Sequence, residues 1–129
     1  MKPHYHDSDE DYLEAVLIVS TRKGYCRSVD LAEQLSVTKP SVTVAVTKLE
    51  KAGLLLKDKE RFLHLTDTGM EIARDIYDRH CFFRDNLMKI GVDPETAEKE
   101  ACMLEHDLSQ DSFLKIKENI GKYPVTSAN

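Results

Sequence analysis

A chain of 129 residues can form one compact unit or two small subdomains sharing a core. Its 41% hydrophobic and 32% charged composition is that of an ordinary globular protein. No apolar run approaches the roughly 20 residues a membrane span needs, and the polar, acidic start from Met1 to Asp11 has no signal-peptide core. The expectation is a cytoplasmic protein. A net charge of −5 argues against a nucleic-acid partner only as a sum. Residues 1–20 carry one Lys and five acids, residues 21–64 carry nine Lys/Arg against five acids, and residues 65–129 carry eight against thirteen. A basic middle between acidic flanks fits one DNA-facing subdomain in an acidic protein.

In chain order, Asp7 or Ser8 is placed to cap a first helix running to about Arg22, with Tyr12, Val16 and Val19 on one face. Lys23-Gly24 ends it. Ser28 is read as the cap of a short helix, Val29 to Leu35, and Ser36-Val37 as a tight turn. Thr38 caps a third helix whose first turn tolerates Pro40, whose buried face is Val42, Val46 and Leu49, and which Gly53 stops. Leu54–Lys57 and Arg61–Leu65 read as two strands of a hairpin. A long helix is expected to start near Thr66–Thr68, where Thr68 and Glu71 have capping-box spacing, and to run to about Ile90, ending at Gly91. Asp93-Pro94-Glu95 starts another that reaches about Asp107, and Ser109 caps a last helix to about Asn119. The expected fold is mainly α, a winged helix-turn-helix over residues 1–70 followed by a helical domain over 71–129, with the joint near residue 70.

Helix, tight turn, helix and hairpin is the winged helix-turn-helix order. Its second helix needs one apolar face and one small, polar face that can sit in a major groove. Here the second face offers Thr38, Lys39, Pro40, Ser41, Thr43 and Thr47. Lys39 and Lys48 are candidates for phosphates, and Arg61 in the hairpin for the backbone or minor groove. The plainer reading is a solvated surface helix. The scarcity of Arg, Asn and Gln on this face points to specificity through methyl contacts, DNA shape and dimer spacing.

Cys102, Glu105 and His106 fall at i, i+3 and i+4, on one face of a helix. A thiolate, a carboxylate and an imidazole are all good ligands for a divalent transition metal. The plainer reading is a half-buried Cys beside a surface Glu-His pair. His80 adds weight, because it interrupts an apolar stripe of Ala73, Ile76, Phe83, Leu87 and Ile90 spaced 3-4-3-4-3. Asp11 and Glu14, three residues apart on the first helix, offer two more carboxylates, which the positive end of a helix also favours without any metal. The cysteines Cys26, Cys81 and Cys102 are too few and odd in number for a disulfide framework, so reduced thiols are expected. His4 and His6 form a His-x-His pair in what reads as a solvated tail.

These segments together resemble the diphtheria toxin repressor family of iron- and manganese-dependent regulators. The likeness is carried by Asp11-Tyr12-Leu13-Glu14, the stretch Ser28 to Leu54, Leu65-Thr66-Asp67-Thr68-Gly69, Arg79-His80 and, most specifically, Glu100 to Ser109. It implies a homodimer with an N-terminal winged helix, a helical dimerisation domain, and metal ligands at Asp11, Glu14, His80, Cys102, Glu105 and His106. It also implies a mixed character: the Asp-x-x-Glu pair on the first helix is that of manganese-type members, and Cys102 is that of iron-type members. The second site of iron-type members lacks two ligands here, with Arg84 and Glu98 in their places. Asp107 stands where manganese-type members have another His. A soft thiolate favours Fe²⁺ over Mn²⁺, with Co²⁺, Ni²⁺ or Zn²⁺ able to substitute. The expected function is a metal-activated repressor of metal-homeostasis genes, acting on double-stranded DNA at a palindromic operator. In it a cation would bridge the two domains, and neither membrane nor organic substrate is involved. The alternative is a winged-helix regulator gated by a small organic ligand or an oxidised cysteine. An enzyme is not expected, because no His-Glu-x-x-His or other catalytic metal motif occurs.

Overall fold

Six helices and one hairpin follow one another among the described residues of a computed structural model, which describes residues 4–122 and the side chains of 9–120. They are α1 (His4–Lys23), α2 (Ser28–Leu35), α3 (Lys39–Lys51), β1 (Leu55–Lys57), β2 (Leu63–Leu65), α4 (Asp67–Lys89), α5 (Pro94–Leu104) and α6 (Gln110–Lys122). The chain divides into two compact units, Met1–Tyr77 and Asp78–Asn129, so the division falls inside α4, where the sequence placed the joint near residue 70. The expected Asp7/Ser8 cap and the His4/His6 pair involve side chains outside the described ones.

In the first unit the apolar periodicity becomes a closed core. Leu13, Val16 and Val19 of α1, Leu31 of α2, Val42, Val46 and Leu49 of α3, Leu55 and Leu63 of the hairpin and Ala73 of α4 are all at most 1% exposed. Each fully buried Leu or Val contributes about 1.5–3 kcal/mol relative to exposure. The hairpin is shorter than expected, with Leu55 opposite Leu65 and Lys57 opposite Leu63. Leu63 also donates its N–H to the Cys26 carbonyl at 2.7 Å, which ties the hairpin to the turn before α2.

Two caps differ from the sequence reading. α2 begins at Ser28 itself, because Asp30 reaches back to accept the Arg27 N–H at 2.9 Å while holding Lys23 Nζ at 2.6 Å. α4 is capped by Thr66, not Thr68: the Thr66 hydroxyl accepts from Gly69 N at 3.1 Å and donates to the Gly53 carbonyl at 2.7 Å. Thr68 therefore lies inside the helix. Other caps are as expected. Thr38 Oγ1 accepts from Ser41 N (3.3 Å), Asp93 from Thr96 N (3.0 Å) and Ser109 from Ser112 N (3.0 Å). Gly53 has φ +77°, which only glycine adopts freely, and it turns the chain from α3 into the hairpin. At Gly69 the need is space: an added Cβ would lie 2.1 Å from the Leu54 carbonyl oxygen.

The second unit is built differently. Phe82 and Phe113 meet edge-on at 5.4 Å and Phe83 packs on both, with Ala97 and Ala101 fully buried. The apolar stripe of α4 does not stay covered. Leu87 is half-buried and Ile90 is 69% exposed. α6 runs on to Lys122, past the expected end near Asn119.

Candidate metal centre and DNA-facing surface

Three unlike donors converge in the second unit. His80 comes from α4, Cys102 from the last turn of α5, and Glu105 from the residue that caps α5. One ligand atom of each lies within 4.8 Å of the other two. His80 Nδ1 stands 2.9 Å from Glu105 Oε1 and 3.6 Å from Cys102 Sγ. His106 Nε2 lies 3.3 Å from Glu105 Oε2. The structure thus brings four of the six expected ligands together in this unit. The other two, Asp11 and Glu14, lie in the first unit one turn apart on α1, half-buried and buried respectively.

The ligand motif is not one helical face, as its spacing suggested. α5 ends at Leu104, short of the expected Asp107, so Glu105 and His106 belong to the turn beyond. Arg79 braces this turn. Its Nη1 donates to the carbonyls of Glu105 (3.2 Å) and Leu108 (2.5 Å), and its Nη2 to Gln110 Oε1 (2.7 Å). These interactions satisfy carbonyls that the end of the helix leaves without intrahelical partners.

Do these residues suit a cation? Glu105 is fully buried, and its Oε2 has no hydrogen-bond partner, since the 3.3 Å approach of His106 lacks the geometry of one. A buried carboxylate oxygen left so costs roughly 1–3 kcal/mol or more, a cost a coordinated cation removes. The donor set of imidazole, thiolate and carboxylate suits Fe²⁺, Co²⁺ or Zn²⁺ well. His80 shows the same demand for positive charge. Hydrogen bonding to Cys102, then to Glu105, pushes its pKa from 6.5 to about 11 against the effect of burial. A cation centred on these donors competes with that proton. Meanwhile His80 Nε2 meets Glu98 Oε2 at 2.7 Å, the outer carboxylate that metal-bound imidazoles commonly use to fix their orientation. The residues fit the group.

Glu98 and Arg79 escaped the sequence reading as parts of this centre. Their partners lie 18 to 31 positions away along the chain, and no spacing rule reaches that far. Of the two residues that replace second-site ligands, Glu98 is engaged with His80 and Arg84 with Asp85 at 3.0 Å. Asp107 is exposed.

On α3 the expected DNA-facing side chains Thr38, Lys39, Pro40, Ser41, Thr43, Thr47 and Lys48 are all exposed, opposite the buried Val42, Val46 and Leu49. Four of them are partly committed. Thr38 is the helix cap and donates its hydroxyl to Ser41 Oγ at 2.9 Å, Thr43 Oγ1 donates to the Lys39 carbonyl at 3.2 Å, and Lys48 Nζ lies 3.1 Å from Asp9. Val44, which the sequence reading left out, is 70% exposed on this helix. Its signal was available as an apolar residue out of phase with the buried face. In the hairpin turn Arg61 is exposed and holds φ +69°, the left-handed region. Asp58 keeps the turn in shape: its Oδ1 accepts N–H groups of Glu60 and Phe62, both at 2.9 Å, while Oδ2 pairs with His64 at 2.8 Å.

Residues 4–63 match the iron dependent repressor N-terminal DNA binding domain, and residues 66–126 match the iron dependent repressor metal binding and dimerisation domain. The HTH-type transcriptional regulator MntR of Lysinibacillus sphaericus (strain C3-41) is 39% identical over 109 residues, covering 84% of this chain and 78% of the relative. MntR of Bacillus subtilis (strain 168) is also 39% identical over 109 residues, covering 84% and 77%. The solved manganese regulator SloR superposes with a TM-score of 0.75 at 32% identity, covering 90% of this chain and 54% of SloR, so the chain spans about half of that solved protein. The chain belongs to the iron-dependent repressor family, whose members are DNA-binding, metal-dependent transcriptional regulators and not enzymes.

Proposed function

We propose that this protein is a repressor of metal-homeostasis genes that binds DNA when His80, Cys102, Glu105 and His106 hold a divalent cation, with Asp11 and Glu14 completing the ligand set from α1. The observation that carries the reading is the buried Glu105 carboxylate, one oxygen unpartnered, among imidazole and thiol donors within 4.8 Å. When bound, the cation supplies positive charge that neutralises the carboxylates and thiolate of the site. The chain's own residues do the rest. His80 is oriented by Glu98, Glu105 by His80, and the α3 surface from Thr38 to Lys48, with Arg61, faces the duplex. Residues 1–70 serve as the DNA-binding domain and 71–129 as the metal-binding and dimerisation domain. Fe²⁺ is the first choice because of the Cys102 thiolate. Mn²⁺ is the second, supported by relatives named as manganese regulators and by the Asp11/Glu14 pair. A homodimer on a palindromic operator matches two recognition helices to successive major grooves, and a cytoplasmic setting keeps Cys102 reduced.

The test is operator binding, run anaerobically and titrated with Fe²⁺, Mn²⁺, Co²⁺ and Zn²⁺. Equal affinity of chelated and metal-loaded protein for DNA would sink the reading. A second reading, gating by oxidation at Cys102, draws on that thiol's exposure. Under it, Cys102→Ser abolishes sensitivity to peroxide and leaves metal response unchanged.

A further inference from the structure

We propose that Arg79 is the positioning residue of the metal centre: its guanidinium holds the turn from Glu105 to Gln110 in the shape that presents Glu105 and His106 beside His80 and Cys102. The inference rests on the metal reading above and adds to it a residue that touches none of the ligand atoms.

Arg79 is 8% exposed, yet each of its hydrogen-bond acceptors is neutral: the Glu105 and Leu108 carbonyls and Gln110 Oε1. Its guanidinium carbon lies 5.4 Å from the centre of the Phe113 ring, and its Nε is buried without a partner. Burying a charge this way is expensive, and a well-packed apolar side chain of similar size commonly stabilises a fold as well or better. Fold stability alone is therefore a poor account of this arginine. What the guanidinium does is specific. Its planar fork spans two main-chain carbonyls and one side chain of a single turn, which the point charge of a lysine cannot reproduce.

The turn it holds carries two ligands. Neighbouring residues of α4 grip the same Glu105 from two sides, Arg79 by its carbonyl at 3.2 Å and His80 by its carboxylate at 2.9 Å. Release of the carbonyl side lets Glu105 rotate away from His80. Glu105 and His106 then lie at a different separation from His80 and Cys102.

The experiment is an anaerobic Co²⁺ titration of the full chain, read by the ligand-field bands and by the sulfur-to-cobalt charge-transfer band of Cys102. Outer residues that orient metal ligands typically affect metal affinity by about 10–100-fold. We expect that loss in Arg79→Met, with altered ligand-field bands and unchanged helix content. Arg79→Lys falls between this and the wild type. Asp78→Ala removes a neighbouring tie from α4 to α6, the 2.8 Å pair with Lys117, without touching the turn, and leaves the spectrum unchanged. Wild-type affinity and spectrum in Arg79→Met overturn the proposal and leave the metal reading standing. If Arg79→Met does not fold, Gln110→Ala decides, because it removes only the acceptor of Nη2. Weakening by several-fold is then expected, and wild-type behaviour overturns the proposal. Absence of a sulfur-to-cobalt band in the wild type defeats the metal reading itself, and the role of Arg79 with it.

Discussion

The two units spend their interiors differently. In the first, the buried side chains are hydrocarbon with few exceptions, and one exception, Asp30, is fully engaged by Lys23 and the Arg27 N–H. In the second, Arg79, His80, Glu105 and His106 are buried beside only a few apolar groups such as Ala97, Ala101 and Phe113. Hydrocarbon burial stabilises regardless of what is dissolved around the protein. A charged interior is stable only as far as its charges are balanced, so whatever balances them acts as part of the fold. The unit that faces DNA is thus built to keep its shape, and the unit that senses the ligand is built to respond.

The largest expected effect breaks this contrast at the robust end. Leu31→Ala deletes a fully buried side chain of the first core and should lower stability by about 2–5 kcal/mol, measured by denaturant unfolding with and without metal. Next, Glu105→Gln keeps the shape of the buried side chain and removes its charge. Metal affinity should fall by about 100-fold or more, roughly 2.7 kcal/mol, while the melting temperature in chelator does not fall. A drop in chelator would show that the carboxylate stabilises the fold without a cation. Arg61→Gly should separate binding from stability. It relieves a left-handed residue that costs about 1–2 kcal/mol, so the melting temperature rises. DNA affinity falls and the salt dependence of binding loses about 0.9 in slope, the share of one phosphate contact.

Smaller effects test one polar exception of the first unit. Lys23, and then the Arg27 N–H, hold Asp30 below its ordinary value of 3.8 against the opposing effect of burial. Its stabilisation is therefore complete above pH 3.8 and disappears as the pH falls through the lowered value. Melting curves of Asp30→Asn should lie below the wild type at neutral pH and converge with it in acid. Smallest of all, Ser36→Gly relaxes φ +54° in the turn between α2 and α3 and should raise stability by at most about 1 kcal/mol.

The order of elements was readable because apolar periodicity and capping residues are local signals. Thr38, Asp93 and Ser109 each announce a helix within three residues of their hydrogen-bond partners. The errors lie where a local signal had a distant rival. The start of α4 near Thr66–Thr68 was legible, but of the two threonines the spacing singled out Thr68, whereas Thr66 is the cap and also reaches the Gly53 carbonyl thirteen residues away. The chemistry of Cys102, Glu105 and His106 was legible, their geometry was not, because α5 stops at Leu104 and the turn beyond it is held by Arg79 from 26 residues upstream. Exposure of Val44 was legible in principle from its phase, but a valine in a helix invites assignment to the core.

Gly69 sets a mechanical tolerance. With no room for even a methyl group 2.1 Å from the Leu54 carbonyl oxygen, α4 meets the start of the hairpin backbone to backbone. Side chains in contact can change rotamer and absorb a displacement, whereas two main chains cannot. The joint behaves like a keyed shaft without backlash: tilting the base of α4 must carry the hairpin, and Arg61 at its tip, along with it. Substitution can break such a coupling but has almost no means of loosening it by degrees.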